Sequence, residues 1–426
     1  MKRKRTSIIL ILALCLSLLP SVTLSASAAD YSGGSGTESD PYLISSAANL
    51  KALADAVNGG STQYGVYFKL TKDISLSAYS NWTPIGNSSR RYFEGSFDGG
   101  GHKITGLKIT SVTDDYAGLF GHVDGFKAIQ NLGVEGAIKA NAKCVGGIVG
   151  YFVNSTIQNC YFSGSVTSTA SGNTVFVGGI VGYCDSFKSI SSCYNIGTVT
   201  GENAQYVGGI AGYISSYSSA TMGNCYNTGA VTGGAYVGGV AGYTGNPISN
   251  CYNFGSVTSA TGGSYVGGVV GHCYSSKSSY GSVENCYYLA GTADYGIGYL
   301  SSDAAASDNG ASPLPEANFK TQNSFNNWDF DSIWKMSEAF GRPTLQNPAE
   351  RAIPTYTAPK SASPTYNGGS QKLITAGTAQ NGTMQYAIGT SKTTAPSDGE
   401  FSGTIPTGTD AGTYYVWYKV FGTGGY

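Results

Sequence analysis

The chain has 426 residues and a formal net charge of -1, and only 12% of its residues are charged, while 62 are glycines. This near-neutral composition excludes nucleic acid and anionic membrane surfaces as expected partners, because both select proteins with an excess of basic charge. The low charge does not predict disorder, since aliphatic residues and 32 tyrosines supply enough apolar surface to bury.

Residues 1–29 have the pattern of an export signal. Basic residues at positions 2–5 precede an apolar run at 8–19, and small residues at 26–29 offer a cleavage site. The apolar run is too short to span a bilayer, and no second run follows it in the sequence. We therefore expect a secreted or cell-surface protein that does not insert into a membrane once the signal is removed.

Residues 30–115 predict an N-terminal cap followed by the first coils of a larger array. Ser45 or Ser46 can cap a short helix over residues 47–57, and Gly59 supplies a stop signal. The helix carries an apolar stripe. Such a helix can cover the open end of a stack of strands, where backbone groups would otherwise stay unpaired.

Residues 116–291 contain one short phrase written six times. Its clearest form is Val-Gly-Gly-Ile-Val-Gly-Tyr at 145–151, and the copies start at residues 116, 145, 177, 207, 237 and 266. The steps between these starts are 29, 32, 30, 30 and 29 residues. A regular period in this range indicates a stacked array of repeats rather than a globular core.

Three apolar columns recur inside these repeats. The second and third columns are nine residues apart in each repeat that has both, whereas the other connections vary in length. The first column comprises Leu119, Ile148, Ile180, Ile210, Val240 and Val269; the second comprises Ile129, Ile157, Ile190, Met222, Ile248 and Val283; the third comprises Ile138, Val166, Val199, Val231 and Val257.

Each repeat therefore predicts three short β-strands separated by turns rich in Gly, Ser, Asn and Thr. Stacked coils can bury their apolar sides, because like positions then lie about 4.8 Å apart and pack as columns. The pattern predicts an all-β fold, a parallel β-helix with one rigid corner and two variable corners. A β-propeller is the alternative, although its blades need about 40 residues. A helical solenoid fits poorly, because no apolar period of 3.6 residues is sustained.

The remainder divides into a closing segment at 292–349, a linker rich in Pro, Ala and Thr at 350–363, and a C-terminal region at 364–426. The C-terminal region alternates apolar and polar residues as half-buried strands do, most clearly at 382–388 and 410–420. It predicts a second, smaller β domain.

Several phrases are specific when taken together. They are Ser-Gly-Thr-Glu-Ser-Asp-Pro-Tyr at 35–42, Trp-Thr-Pro-Ile-Gly at 82–86, the Gly-Gly-Ile-Val-Gly repeats, Trp-Asp-Phe-Asp-Ser-Ile-Trp at 328–334 and Arg-Pro-Thr-Leu at 342–345. The combination resembles bacterial surface proteins with GLUG repeats. That resemblance implies an exported β-helical stalk or adhesin-like module, often one part of a larger surface protein. Some zinc peptidases that cleave immunoglobulin A carry related repeats, but their His-Glu-x-x-His motif is absent here, so no peptidase activity is implied.

The tyrosine-rich stretch at 410–420 resembles a strand of bacterial immunoglobulin-like repeats. The resemblance implies an incomplete Ig-like β-sandwich over 364–426, because the chain stops at Tyr426 where a final strand is expected. We therefore expect the sequence to be a truncated product or a fragment.

The acidic residues of the repeats argue against catalysis. Between residues 141 and 290 only Asp185, Glu202 and Glu284 are acidic, and they fall in different repeats at different phases. Glycoside hydrolysis needs two carboxylates close together, and a calcium-dependent lyase needs several acids on neighbouring coils. We expect no catalytic residue, no metal site and no cofactor. A carbohydrate-active β-helix enzyme, either a polysaccharide lyase or a hydrolase, is the alternative.

Cysteine occupies one column in five successive repeats, where the first repeat has Leu132. This equivalence predicts inward thiols that act as small hydrophobic residues. Disulfides are usual outside the cell, but stacked side chains point the same way, which is poor geometry for a bridge. We expect most of this column to be reduced; its members are Cys160, Cys193, Cys225, Cys251 and Cys286.

A tyrosine ends the repeated phrase in four copies, and His122 and His272 replace it in the other two. The loops after this column vary in length and are rich in Ser and Tyr, a composition that suits recognition of glycans or proteins. We expect a glycan or an extracellular protein to bind there. The alternative is that the tyrosines only cover an edge of the array. The candidate binding residues are Tyr183, Tyr213, Tyr217, Tyr243, Tyr274 and Tyr280.

Overall fold

The computed structural model describes residues 30–125, 127–215, 220–262, 265–274, 281–302, 305–346, 355–380, 382–392, 396 and 400–422. The chain divides into two compact units, one ending at Leu345 and the other beginning at Gln346. The predicted export signal at 1–29 lies outside the described residues, so it stays a prediction.

The first unit is an all-β solenoid of about eight turns. Strands of successive turns pair in parallel and build four long sheets. We number these sheets in the order in which the chain meets them within one repeat: sheet 1 has six strands, sheet 2 eight, sheet 3 nine and sheet 4 twelve. The predicted parallel β-helix is thereby confirmed, because the antiparallel blades of a propeller would not pair like positions of successive repeats in parallel.

The strands are short, as the dense turn residues of the sequence require. Sheet 1 contains Tyr116–Ala117, Cys144–Gly146, Gly172–Gly178, Ala204–Gly208, Tyr236–Gly238 and Tyr265–Gly267. Sheet 2 contains Phe120–Asp124, Val149–Val153, Val181–Asp185, Ala211–Ile214, Ala241–Thr244, Val270–Cys273, Ile297–Leu300 and, as an antiparallel edge, Ala305–Ser307. Sheet 3 contains Tyr42–Ile44, Tyr67–Leu70, Ser96–Asp98, Ala128–Gln130, Thr156–Gln158, Ser189–Ser191, Thr221–Gly223, Ile248–Ser249 and Val283–Glu284. Sheet 4 contains Ile74–Ser75, Lys103–Ile109, Gly133–Ala140, Tyr161–Ser168, Tyr194–Asn195, Thr198–Gly201, Tyr226–Asn227, Val231–Gly233, Tyr252–Asn253, Val257–Ser259, Cys286–Leu289 and Ala311–Leu314.

The predicted apolar columns lie in register inside the solenoid. Ile157 pairs with Ile190 in sheet 3, and Val166 pairs with Val199 in sheet 4. In the first column, the amide of Ile148 donates to the carbonyl of Ile180 one turn further on, at 3.0 Å. All of these side chains are fully buried. Stacking of like residues is therefore what forms the core, as the sequence period indicates.

The repeated phrase itself spans two sheets, which corrects the prediction of three strands per repeat. Val145 lies in sheet 1 and Val149 lies in sheet 2, and the chain turns between them at Gly147. A Cβ atom at Gly147 would lie 2.3 Å from the carbonyl oxygen of Gly179 in the next turn. Since only glycine permits this approach, a stretch that has the composition of one strand is in fact a corner with a strand on each side.

A second corner is built by asparagine between sheets 3 and 4. Asn159 and Asn224 have φ angles of 53° and 55°, a left-handed conformation that asparagine tolerates better than most residues. The residue after each of them is a cysteine of the predicted column, Cys160 or Cys225, and both are fully buried. All eight cysteines in the described residues are free thiols. Burial raises the pKa of the Cys225 thiol.

Asn195, Asn227 and Asn253 form a ladder inside the solenoid, and all three are fully buried. The amide nitrogen of Asn195 donates to the side-chain oxygen of Asn227 at 2.8 Å, and Asn227 donates to Asn253 at 2.9 Å. Each side chain also bonds the backbone two residues further along, as Asn227 does with both the nitrogen and the carbonyl of Gly229. The ladder therefore satisfies every buried amide in the column at once.

The N-terminal end of the solenoid carries the predicted helix, which runs over Ala47–Asn58. Ser46 is the N-cap and its hydroxyl accepts from the amide of Asn49, while Gly59 forms the C-cap. Leu50 and Leu53 are fully buried against the core of the first turns. The helix thus supplies apolar cover at the end of the stack, as the sequence predicts.

The closing segment lies along the side of the solenoid as a strap, which we define as residues 315–345. It contains a helix (Glu316–Phe319), a 3-10 turn (Gln322–Ser324) and a hairpin (Trp334–Ser337 with Arg342–Leu345). Its stacked Trp328 and Trp334 rings, 4.3 Å apart, pack on a column of tyrosines from sheet 4. The Tyr252 hydroxyl donates to the carbonyl of Pro343 at 2.7 Å.

Both tryptophan rings of the strap also bond the solenoid. Trp328 donates to the carbonyl of Asn285 at 2.9 Å, and Trp334 donates to the side-chain oxygen of Asn224 at 3.3 Å. Asn224, Tyr252 and Asn285 belong to three successive turns, so the strap holds these turns together.

The second unit consists of four antiparallel strand pairs around a small core of Ile374, Met384 and Tyr386. The immunoglobulin-like sandwich inferred from the sequence stays a prediction for this unit. Its strands are Thr355–Thr357, Lys360–Ser361, Gln371–Lys372, Ile374–Thr375, Thr378–Gln380, Gly382–Gly389, Thr407–Gly408 and Tyr415–Gly422. Across the ranges that the structure describes, no helix of either unit has the length and hydropathy needed to cross a membrane.

Candidate functional site

Two columns of aromatic rings run side by side on the outer surface where sheets 1 and 2 meet, and we call them the aromatic seam. In the middle of the seam, rings within a column stack, as Tyr183 and Tyr213 do at 5.1 Å between centroids, with their planes 1° apart. Rings of different columns meet edge to face there, as Tyr206 and Tyr213 do at 5.0 Å and 73°. At the two ends, the histidines of the sheet 2 column meet their tyrosine neighbours edge to face instead. The column from sheet 1 contains Tyr116, Phe176, Tyr206, Tyr236 and Tyr265. The column from sheet 2 contains His122, Tyr151, Tyr183, Tyr213, Tyr243, His272 and Tyr299.

Glycines of the repeated phrase create the concave corner that these rings fill. A Cβ atom at Gly212 would lie 2.5 Å from the carbonyl oxygen of Gly182 and 2.6 Å from the amide nitrogen of Val177. The backbones of sheets 1 and 2 therefore come together with no side chain between them. The rings on either side of this contact cover it, which explains why they interlock instead of pointing into solvent.

Most of the seam is consequently a packed surface. Tyr183 and Tyr213 are half-buried, and Tyr243 is only 8% exposed. Burial raises the pKa of Tyr151 and of Tyr206 to about 12. These phenols stay neutral at physiological pH, so they offer flat apolar edges and hydroxyl groups but no charge.

The seam becomes accessible at its C-terminal end. Tyr265 is 43% exposed, and Tyr274, which follows the sheet 2 strand Val270–Cys273, is 41% exposed. The Tyr274 amide donates to the carbonyl of Thr244, the residue after Tyr243, at 2.8 Å. The part of the seam available to a ligand is therefore its C-terminal end, where Tyr265 and Tyr274 are exposed.

The structure places three of the candidate residues in one packed column and a fourth in an exposed position. Tyr183, Tyr213 and Tyr243 are consecutive members of one column, and Tyr274 lies at its exposed end. Tyr217 and Tyr280 lie outside the described residues. The sheet 1 column was not predicted, although an aromatic residue directly precedes Val-Gly-Gly in four repeats, at Phe176, Tyr206, Tyr236 and Tyr265.

A serine–histidine pair at the same end bears on the enzyme alternative. His272 Nε2 and Ser301 Oγ are 2.8 Å apart. Burial lowers the pKa of His272 to about 4, and its Nδ1 is buried without a hydrogen-bond partner among the described residues. A histidine that activates a serine needs an orienting acceptor on its second nitrogen and a pKa near the operating pH. This pair has neither feature.

Two acidic residues of the repeats, Asp185 and Glu284, lie on different sheets. The Asp185 carboxylate accepts from the Ser215 hydroxyl at 2.9 Å, and Glu284 ends a strand of sheet 3 near the other end of the array. In the part of the chain that the structure describes, no three His, Cys, Asp or Glu residues come together in a way that could hold a metal ion.

Acidification should destabilise the seam through its histidines. The pKa of His272 is about 4 in the folded chain, below the ordinary value of 6.5, so the unfolded chain binds the extra proton between these values. The contribution of the neutral His272 ring to the free energy of unfolding is complete above about pH 6.5. As the pH decreases toward 4, the free energy of unfolding falls by about 1–2 kcal/mol for this half-buried ring. Thermal melting at pH 7.5 and 5.0 measures the loss. His272→Tyr, which restores the residue typical of the column, should reduce it, and an equal loss in this variant and in the parent chain would contradict the prediction.

Comparison with known proteins connects the repeats to a motif found in other proteins. Residues 141–167 match the family described as the GLUG motif. A candidate Gly-rich membrane protein of Evansella cellulosilytica is 37% identical over 111 residues, which are 25% of this chain and 12% of that protein. Halomucin of Haloquadratum walsbyi is 35% identical over 159 residues, which are 35% of this chain and 2% of that protein. The chain thus matches only a small part of the length of these relatives.

A solved structure supports the fold over most of the chain. It is a candidate immunoglobulin A1 protease from Bacteroides ovatus, with 25% sequence identity and a TM-score of 0.57. The similarity covers 74% of this chain and 95% of that chain. The GLUG repeat, the solenoid and these relatives together fit a β-helical surface or extracellular module.

Proposed function

We propose that this chain is a module of a secreted or cell-surface protein, and that its β-helical rod binds a glycan or an extracellular protein. The GLUG match and the relatives described as a membrane protein and a halomucin support the location. The solenoid supports a role as a rod that displays binding side chains. In-register pairing along about eight turns gives a stiff frame on which these side chains keep fixed positions.

The exposed end of the aromatic seam is the single observation that carries the binding role. Tyr265 and Tyr274 keep more than a third of their surface in solvent, although every other ring of the seam is at least half-covered or wedged between neighbours. Tyr265 begins a parallel strand, and the Tyr274 amide donates to the carbonyl of Thr244 in the preceding turn at 2.8 Å, so a ligand meets residues whose backbone is fixed. Ordered tyrosines bind at low entropic cost and are frequent at the centres of binding surfaces.

The proposed module acts without catalysis. Among the described residues, His272 Nδ1 has no acceptor that could orient the serine–histidine pair, and the acids Asp185 and Glu284 lie on different sheets. The Bacteroides relative carries a protease description, but the His-Glu-x-x-His motif does not occur in this sequence. Cleavage of immunoglobulin A or of a polysaccharide by the purified chain would contradict this part of the proposal and favour the enzyme alternative.

Replacing Tyr265 and Tyr274 together with serine should weaken binding about tenfold or more, because each exposed ring contributes on the order of 1 kcal/mol at such a surface. Binding of the full chain to a glycan array and to immobilised extracellular matrix proteins provides the measurement. Tyr366→Ser removes another exposed tyrosine, 65% accessible and part of the second unit, and serves as the matched control.

The double variant should keep the melting temperature of the parent chain, since neither ring is part of the buried core. Equal binding by the parent and the Tyr265→Ser/Tyr274→Ser variant, in a chain that melts normally, would reject the seam end as the binding surface.

A further inference from the structure

A polar groove of about 320 Å3 lies on the outer face of sheet 3, near the N-terminal end of the solenoid. We call it the sheet 3 groove. It is distinct from the aromatic seam, which lies on sheets 1 and 2. Its polar lining comprises Glu38, Tyr67, Lys69, Asp98, Lys127 and Gln130.

The floor of the groove follows from strand register. Phe68, Phe97 and Ile129 pair across three strands and point into the core, where all are buried. Because side chains alternate along a strand, the next residues, Lys69, Asp98 and Gln130, form a row on the outside. Three different polar groups are therefore held one strand spacing apart, about 4.8 Å, on a rigid sheet.

One wall of the groove is a fixed tyrosine. The Lys127 ammonium donates to the Tyr67 hydroxyl, and that hydroxyl donates to a carboxylate oxygen of Glu38 at 3.1 Å. The same ammonium lies 4.8 Å from the centre of the Tyr67 ring. These contacts hold the ring in one orientation, so it presents a flat surface to anything that enters the groove.

The floor still has unused bonding capacity. Asp98 Oδ1 accepts from the amide of Gly100 and from the Asn131 side chain, both at 2.9 Å, which fixes the carboxylate. Within the described residues, Asp98 Oδ2 receives no hydrogen bond and Lys69 makes neither an ion pair nor a hydrogen bond. A fixed acceptor and a free donor thus face solvent on adjacent strands.

We propose that the sheet 3 groove binds a neutral carbohydrate. Two lysines and two carboxylates balance, so the groove has no net charge with which to select a charged ligand. Paired donors and acceptors beside an aromatic ring match the hydroxyl groups of a sugar, each of which both donates and accepts. The volume is at the lower end of the range for small-molecule sites, about 300–1,000 Å3, and suits a short saccharide unit.

The same face offers a continuation for a longer chain. Gln158 donates to Gln130 at 2.9 Å and extends the row into the next turn. Thr156, Ser189 and Ser191 follow it on sheet 3 and are half-buried. A polysaccharide bound in the groove can therefore run along the solenoid without meeting a large apolar side chain.

Binding of neutral oligosaccharides to the full chain tests this site directly. We expect Lys69→Met and Tyr67→Ala each to weaken that binding about tenfold or more, because each removes a donor or the ring without touching the core. Lys72→Met removes an exposed lysine outside the groove and should bind like the parent chain. Carboxylated and sulfated forms of the same oligosaccharides serve as charged comparators.

Three results would overturn the assignment: no binding of neutral oligosaccharides by the folded chain, equal binding by the parent and both groove variants, or binding confined to the charged comparators. Far-UV circular dichroism confirms that each variant is folded. The Tyr265→Ser/Tyr274→Ser variant should bind through the groove normally, so failure of the seam proposal and failure of this one are distinguishable.

Discussion

Replacing Gly209 with alanine is expected to destabilise the solenoid by about 3 kcal/mol or more. The added methyl group would lie 2.1 Å from the carbonyl oxygen of Gly239 and 2.4 Å from Cγ of Asn227. Neither neighbour can yield, because the first is backbone of the adjacent turn and the second is held in the buried asparagine ladder. Urea unfolding followed by circular dichroism measures the loss.

Gly223→Ala is the matched control for this prediction. Gly223 lies in the same turn, but its added methyl group would meet only the Ser249 hydroxyl and carbonyl, at 3.3 and 3.4 Å. We expect a change within about 0.5–1 kcal/mol of the parent chain. Similar unfolding midpoints for Gly209→Ala and Gly223→Ala would show that the corner is not tightly packed.

Replacing Asn227 with leucine should cost about 3–5 kcal/mol. The substitution removes one of the two acceptors of the Asn195 side-chain nitrogen and one of the two donors to the Asn253 side-chain oxygen. It also removes the Asn227 partners of both backbone groups of Gly229. Each buried polar group left unsatisfied costs roughly 1–3 kcal/mol, partly offset by the more apolar side chain. Chemical unfolding of the purified variant gives the value.

An equivalent substitution at the surface separates loss of the ladder from a general effect of leucine. Asn203 is exposed in a turn of the preceding repeat, and Asn203→Leu should change the unfolding free energy by no more than about 0.5 kcal/mol. If Asn227→Leu unfolds at the same denaturant concentration as Asn203→Leu, the ladder does not contribute to stability as its bonding indicates.

The sequence allowed the core columns to be predicted because repetition and parallel pairing are linked. Once Ile157 and Ile190 occupy equivalent positions in adjacent repeats, stacking them is the simplest way to bury both. The number of sheets was harder to predict, since Val145 and Val149 have the composition of one strand. Their separation depends on backbone contact at Gly147, which involves the next turn and is invisible in a single repeat.

The positions of polar residues were the second point at which the structure differs from the prediction. Asn195 and Asn227 read as turn residues in the sequence, but they lie inside because each satisfies the next one in the column. The tyrosines of the candidate site were recognised as a column, and Tyr183 and Tyr213 are indeed stacked. Their packing role was apparent only from the second column beside them. The aromatic residues directly before the repeated phrase, such as Tyr265, were not predicted as a column, because they lie outside the phrase whereas the tyrosines that end it belong to it.

The strap has a consequence for how the protein carries load. Hydrogen bonds between turns run along the long axis, so tension applied at the ends would peel the solenoid one turn at a time. The chain leaves the first unit at Leu345, directly after the hairpin Trp334–Ser337 with Arg342–Leu345. Force arriving from the C-terminal side therefore reaches the strap before any turn, and is shared by the three turns that Trp328, Trp334 and Pro343 of the strap contact. The strap therefore protects the last turns of the solenoid from unfolding one by one under tension.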